Sequence, residues 1–134
     1  MQTILVVVAV LFGTLAGIAA REGKSVIVAT DQDGAQRVAM EADSYFYRPD
    51  HIVVRSGIPV EIKLTSLTTL TPHNFIIKEP KAGMLVEQEV GAGNTVTIRF
   101  MPTQPGSFTF YCDKRLLFFK SHREKGMEGR LEVR

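Results

Sequence analysis

Ser107-Phe108-Thr109-Phe110-Tyr111-Cys112 reads as a β-strand with a period of two. Phe108, Phe110 and Cys112 fall on one face, Thr109 and Tyr111 on the other, so the face that seeks the interior carries two aromatic rings and then a thiol. Residues 59–65 repeat the pattern: Val60, Ile62 and Leu64 face inward, while Glu61, Lys63 and Thr65 face outward. Further β-type runs at 26–29, 37–47, 51–55, 73–77, 94–100 and 130–133, divided by Gly, Pro and Asp turns, predict about eight short strands. No long stretch has a 3.6-residue period, so the expectation is an all-β sandwich or barrel. Residues 79–93, with Pro80, Gly83, Gly91 and Gly93, read as a long loop. Residues 114–125 are the only helix candidate, a turn or two that Gly126 would end.

Residues 1–20 contain no charged side chain, and an apolar run from Ile4 to Phe12 leads into small residues ending at Ala19-Ala20. This predicts a secretory signal, or an uncleaved membrane anchor, followed by one domain over residues 21–134. Either way the domain is expected outside the cytoplasm, in a periplasmic or similar compartment. The 16 basic and 14 acidic side chains all lie beyond residue 20 and leave a net charge of +2. That balance lacks the basic stripe nucleic-acid binding requires, and membrane contact is expected only if residues 1–20 are retained.

An exported chain with a single cysteine cannot form an internal disulfide, so Cys112 is an intermolecular bridge, a buried thiol, or a ligand or nucleophile. A metal-bound thiolate would be protected by coordination and burial. Three other residues fit such a site. His73 follows Pro72, which fixes the approach to a strand, and its neighbour Asn74 has an amide able to tie this loop to the one bearing Cys112. His122 and Met127 follow Cys112, the methionine lying between Gly126 and Gly129. Taken singly, each of the four has a structural reading as a core or loop residue. Together, two imidazoles, a thiolate and a thioether form a donor set suited to copper in both oxidation states. His51, the third histidine, reads as the start of an ordinary strand. A zinc site with one Cys and two His is chemically open. An enzyme using Cys112 and His122 as nucleophile and base is disfavoured, because no oxyanion-type turn or positioned acid accompanies them.

At these residues the chain resembles the cupredoxins, small blue-copper proteins related to plastocyanin and azurin. The resemblance covers most of residues 37–133 and rests on Phe46-Tyr47-Arg48-Pro49, Pro72-His73-Asn74-Phe75, the Pro105-Gly106 lead into Cys112, and His122, Met127 and Gly129. It implies a Greek-key β-sandwich of about seven to eight strands, with one type 1 copper ion at one end held by His73, Cys112, His122 and Met127. It also implies a monomeric electron carrier, not an enzyme, whose partner is a redox protein such as a cytochrome or oxidase, with His122 as the electron exit. A copper-delivery or resistance protein is the alternative. Familiar members place only a few residues between the cysteine and the second histidine, whereas nine intervene here, residues 113–121. The insertion contains Leu116-Leu117-Phe118-Phe119, expected either to fold back on the sandwich or to form an apolar docking patch. Glu124 and Glu128 in the same region are alternative donors.

Overall fold

The computed structural model describes residues 25–134; the expected signal or anchor at residues 1–20 lies outside them. Ten strands form two packed sheets. In chain order they are β1 (Ser25–Ile27), β2 (Gln36–Asp43), β3 (Phe46–Arg48), β4 (His51–Val54), β5 (Val60–Ser66), β6 (His73–Glu79), β7 (Met84–Val90), β8 (Thr95–Phe100), β9 (Gly106–Tyr111) and β10 (Glu128–Val133). One sheet has the order β1-β4-β10-β9-β6-β7, the other β3-β2-β5-β8. β4 runs parallel to both β1 and β10, and β2 runs parallel to β5; the remaining pairs are antiparallel. Parallel neighbours need crossover connections, which is how the chain passes repeatedly between the sheets.

The alternation read from the sequence sets the core. Val60, Ile62 and Leu64 of β5 are buried, while Glu61, Lys63 and Thr65 between them are more accessible. From the opposite sheet Ile52, Phe75, Phe110 and Leu131 complete the interior. Phe75 and Phe110 stack with ring centroids 4.9 Å apart, and Tyr47 packs edge-on against both.

Two differences from the expected strands have local causes. Most of residues 79–93 is not a loop: one turn of 3-10 helix, Pro80–Ala82, leads into β7, which pairs along its length with β6, and only 91–93 form the irregular turn expected. β7 is an edge strand whose centre carries Glu87, Gln88 and Glu89, and an edge needs few apolar residues. The run at 37–47 divides at Ser44-Tyr45 into the hairpin β2–β3. Residues 113–125 form turns without a helix. The only α-type closure there is the bond from Lys125 N–H to Ser121 O at 3.1 Å, and Gly126 ends that turn as expected. No helix among the described residues is long and apolar enough to cross a membrane.

Candidate metal centre

β9 lies antiparallel between β6 and β10, so the start of β6, the end of β9 and the β9–β10 loop share one end of the sandwich. His73 opens β6 and Cys112 follows the last residue of β9. His73 Nδ1 lies 3.9 Å from Cys112 Sγ, although the residues are 39 positions apart.

His122 reaches the same place across the long insertion. Its backbone N–H donates to Lys114 O at 2.8 Å, closing the insertion at its base. Residues 115–121 therefore leave the surface and return, and the spacing that matters to the site is short. His122 Nδ1 lies 3.4 Å from Cys112 Sγ. Ser121 and Glu124 hold the turn that follows: Ser121 N–H donates to Glu124 Oε2 at 2.6 Å, and Glu124 N–H donates to Ser121 Oγ at 3.2 Å. This reciprocal pair is a capping box. Gly126, at φ 96°, then turns the chain back, a conformation glycine adopts without strain.

Met127 follows directly. Its N–H donates to His122 O at 2.9 Å and its carbonyl accepts from Cys112 N–H at 3.1 Å, so it lies in the backbone frame carrying both residues. Its side chain is fully buried in the cluster that contains Phe110 and Cys112. The donor atoms of His73, Cys112 and His122 lie within 4.8 Å of one another, and all three residues are buried. Glu124 and Glu128 stand apart, paired at the surface with Arg115 and Arg123. His51 begins β4 as expected and contacts Glu132 at 3.2 Å.

Asn74 links the two halves of the site. Its Nδ2 donates to Asp113 Oδ1 at 2.7 Å, its Oδ1 accepts from Asp113 N–H at 3.1 Å, and its own backbone N–H points at Cys112 Sγ at 3.4 Å. Tyr47 Oη donates to Asn74 O at 2.5 Å from beneath. The tie through Asn74 was legible in the sequence; its partner Asp113 was not. Tyr45, whose ring lies 4.8 Å from that of His122, was also missed, because it reads as the continuation of a strand. The Ser121-x-x-Glu124 spacing was the one available signal for the capping box.

The sequence matches the family model of the cupredoxin-like domain over residues 3–127. The chain belongs to the cupredoxin-like family. No curated protein sequence matches it significantly. Among solved structures, this cupredoxin is similar to the metal-binding domain of the Streptococcus pneumoniae Cu(I)-exporting P-type ATPase CopA, with 23% identity and a TM-score of 0.64 over 83% of this chain and 96% of that one. It is similar also to dithionite-reduced auracyanin from Roseiflexus castenholzii, with 19% identity and a TM-score of 0.58 over 73% and 96%. A third similarity, to the copper-containing nitrite reductase of Thermus scotoductus, has 17% identity and a TM-score of 0.55 over 82% of this chain but 28% of that one. At these identities the likeness establishes the fold, and the site must decide between the chemistries the fold hosts.

The donor set of this cupredoxin fits a copper ion. A nitrogen and a sulfur on one ion, at bonds of about 2.0 and 2.3 Å and angles between tetrahedral and trigonal, lie about 3.5–3.7 Å apart. The observed 3.4 and 3.9 Å bracket that range. Burial pushes the His73 imidazole down to about 4, and His122 adds to the shift. Burial likewise lowers His122, with help from Lys125 and Lys114, and raises the Cys112 thiol against the backbone amides of Asn74 and Lys114. Both imidazoles are thus kept neutral, the form that coordinates metal. His73 Nε2 is buried with no hydrogen-bond partner among the described residues. Nε2 is not one of the converging atoms, so a cation would not compensate it; what favours a cation is the convergence of two buried Nδ1 atoms on one buried sulfur.

Proposed function

We propose that the domain is a one-electron carrier for a single type 1 copper ion, which His73 Nδ1, Cys112 Sγ and His122 Nδ1 would hold together with the thioether of Met127. The observation that carries this reading is the convergence of two Nδ1 atoms on one buried sulfur at the end of a cupredoxin sandwich. Copper bound there supplies a redox couple whose two states suit the same nitrogen and sulfur donors. The protein's own contribution is to hold the donors still. Asn74 fixes the β6 end to the residue after Cys112, and the Lys114–His122 backbone bond and the capping box fix His122. A frame that does not rearrange keeps the energy of electron transfer low.

In this reading the domain is a carrier and not an enzyme, works as a monomer outside the cytoplasm, and exchanges electrons with a redox protein through His122, which is 6% exposed. Copper loading tests it. An intense visible thiolate charge-transfer band is expected, lost in Cys112→Ala and altered in His73→Ala, His122→Ala and Met127→Ala. A colourless copper complex would remove the type 1 assignment. The likeness to the metal-binding domain of a Cu(I)-exporting ATPase favours a second reading, copper delivery. Reversible voltammetry with retention of the metal supports the carrier, and ready loss of Cu(I) to a competing chelator supports delivery.

A further inference from the structure

The insertion between Lys114 and His122 does not fold back on the sandwich. Phe119 N–H donates to Leu116 O at 3.0 Å, closing a turn that holds Leu117 at φ 47°. The tip presents Leu116, Leu117, Phe118 and Phe119 to solvent at 68, 76, 84 and 51% exposure. The two phenylalanine rings stack on each other, 4.8 Å apart, and none of the four side chains joins the core. Turn tips ordinarily carry Gly, Asn, Asp, Ser or Pro. Four consecutive large apolar side chains at such a tip mark an interaction site. Leu70, 89% exposed, extends the apolar face, and with Pro72 and Leu116 it borders a groove that reaches His122.

The residues flanking the tip, 113–128, carry five cations against three carboxylates, a collar with a modest positive excess. Lys114, Arg115, Lys120, Arg123 and Lys125 all fall within twelve residues of sequence. Of the carboxylates facing them, Asp113 is turned to the Asn74 amide and Glu124 caps Ser121 while pairing Arg115. Lys114 pairs with Glu89 and Arg123 with Glu128, and Lys125 lies over the Tyr45 ring.

We propose that this tip is an interfacial membrane anchor: Leu116, Leu117, Phe118 and Phe119 enter the boundary between headgroups and acyl chains of an anionic bilayer, and the collar meets the lipid phosphates. An apolar apex with cations set behind it is the arrangement that interfacial insertion rewards. The apex is a single convex turn. A fluid bilayer accommodates such a protrusion as it stands, whereas a protein partner would need a pocket of matching shape. Insertion brings His122, at the base of the excursion, to the membrane surface. The proposal stands on the loop alone and holds with or without metal at the site.

The chain has no tryptophan, so Phe118→Trp in the full chain places a single reporter at the most exposed position of the tip. Whatever residues 1–20 do with lipid, this indole reads only its own surroundings. With vesicles containing phosphatidylglycerol, its emission is expected to shift to the blue and to be quenched by lipids brominated on the acyl chain. Phosphatidylcholine vesicles are expected to give a weaker response. Adding Lys120→Gln is expected to lower the partition constant read from the quenching titration about fivefold, the usual worth of one cation near an anionic surface. An emission that stays at the exposed-indole position, unquenched by brominated lipid, would assign the tip to a protein partner or to none and overturn the proposal. Equal quenching in both vesicle types overturns the role given to the collar.

Discussion

Asn74→Ala tests the mechanical link between the two halves of the site. The side chain makes two bonds to Asp113, one to the carboxylate at 2.7 Å and one from the backbone N–H at 3.1 Å. Each is worth about 0.5–1.5 kcal/mol net, with the partial exposure of Asp113 favouring the lower half for the carboxylate. Losing both costs about 2 kcal/mol. Asp113→Ala removes only the carboxylate bond and costs about 1 kcal/mol, because the backbone N–H of residue 113 still reaches Asn74 Oδ1. The double variant should cost no more than Asn74→Ala alone, leaving a coupling of about 1 kcal/mol. The Asn74 backbone bonds, to Cys112 Sγ and from Tyr47, survive the substitution. Metal-free Asn74→Ala should therefore be destabilised in urea titrations, while the copper-loaded form keeps its colour and binds the metal about 10–100-fold more weakly. The reasoning fails if Asp113→Ala is as costly as Asn74→Ala, or if the double variant is strictly additive.

Gly129→Ala places a Cβ 2.5 Å from both Asp50 O and Phe110 Cε2, so Phe110 must leave its stack on Phe75; a loss of about 1–3 kcal/mol is expected, and an unchanged denaturant midpoint would contradict it. Without metal, the depressed His73 gives a defined pH dependence: the unfolded chain binds a proton near 6.5 that the folded chain refuses until about 4, so stability is present above that window and falls by about 3 kcal/mol as pH drops through it. Urea midpoints from pH 7.5 to 4 measure this, and His73→Gln should flatten the slope. The buried thiol acts at the other end, where ionisation of Cys112 in the unfolded chain lowers stability as pH rises through the ordinary thiol range. His51→Ala, which removes a histidine on the Glu132 side of β4, should leave the copper spectrum unchanged; a changed spectrum would mean that the copper is not where the donor cluster lies.

The sandwich was legible because its central strands alternate: β5 and β9 must bury Val60, Ile62, Leu64 and Phe110, and such a pattern has one stable partner, another apolar face. β7 escaped notice because an edge strand answers to one neighbour, so polar residues such as Glu87 and Glu89 are tolerated in it. The convergence of His73, Cys112 and His122 was readable from residue types and order, while the means was not. A backbone bond between Lys114 and His122 involves no side chain, so nothing in the identities of those residues announces it. Asp113 was hidden for a related reason: its value to Asn74 lies partly in its N–H, which every residue but proline has.

The pinched base of the insertion separates two properties that a continuous loop would bind together. With Lys114 and His122 already joined, the residues between them form a cassette on a fixed stem. Changing its length alters closure entropy only with the logarithm of the residue count, about 0.6 kcal/mol per doubling, and transmits little strain to Cys112 or Met127. The exposed apolar tip and the buried donor cluster are then free to vary separately, one written in the cassette and the other below the stem.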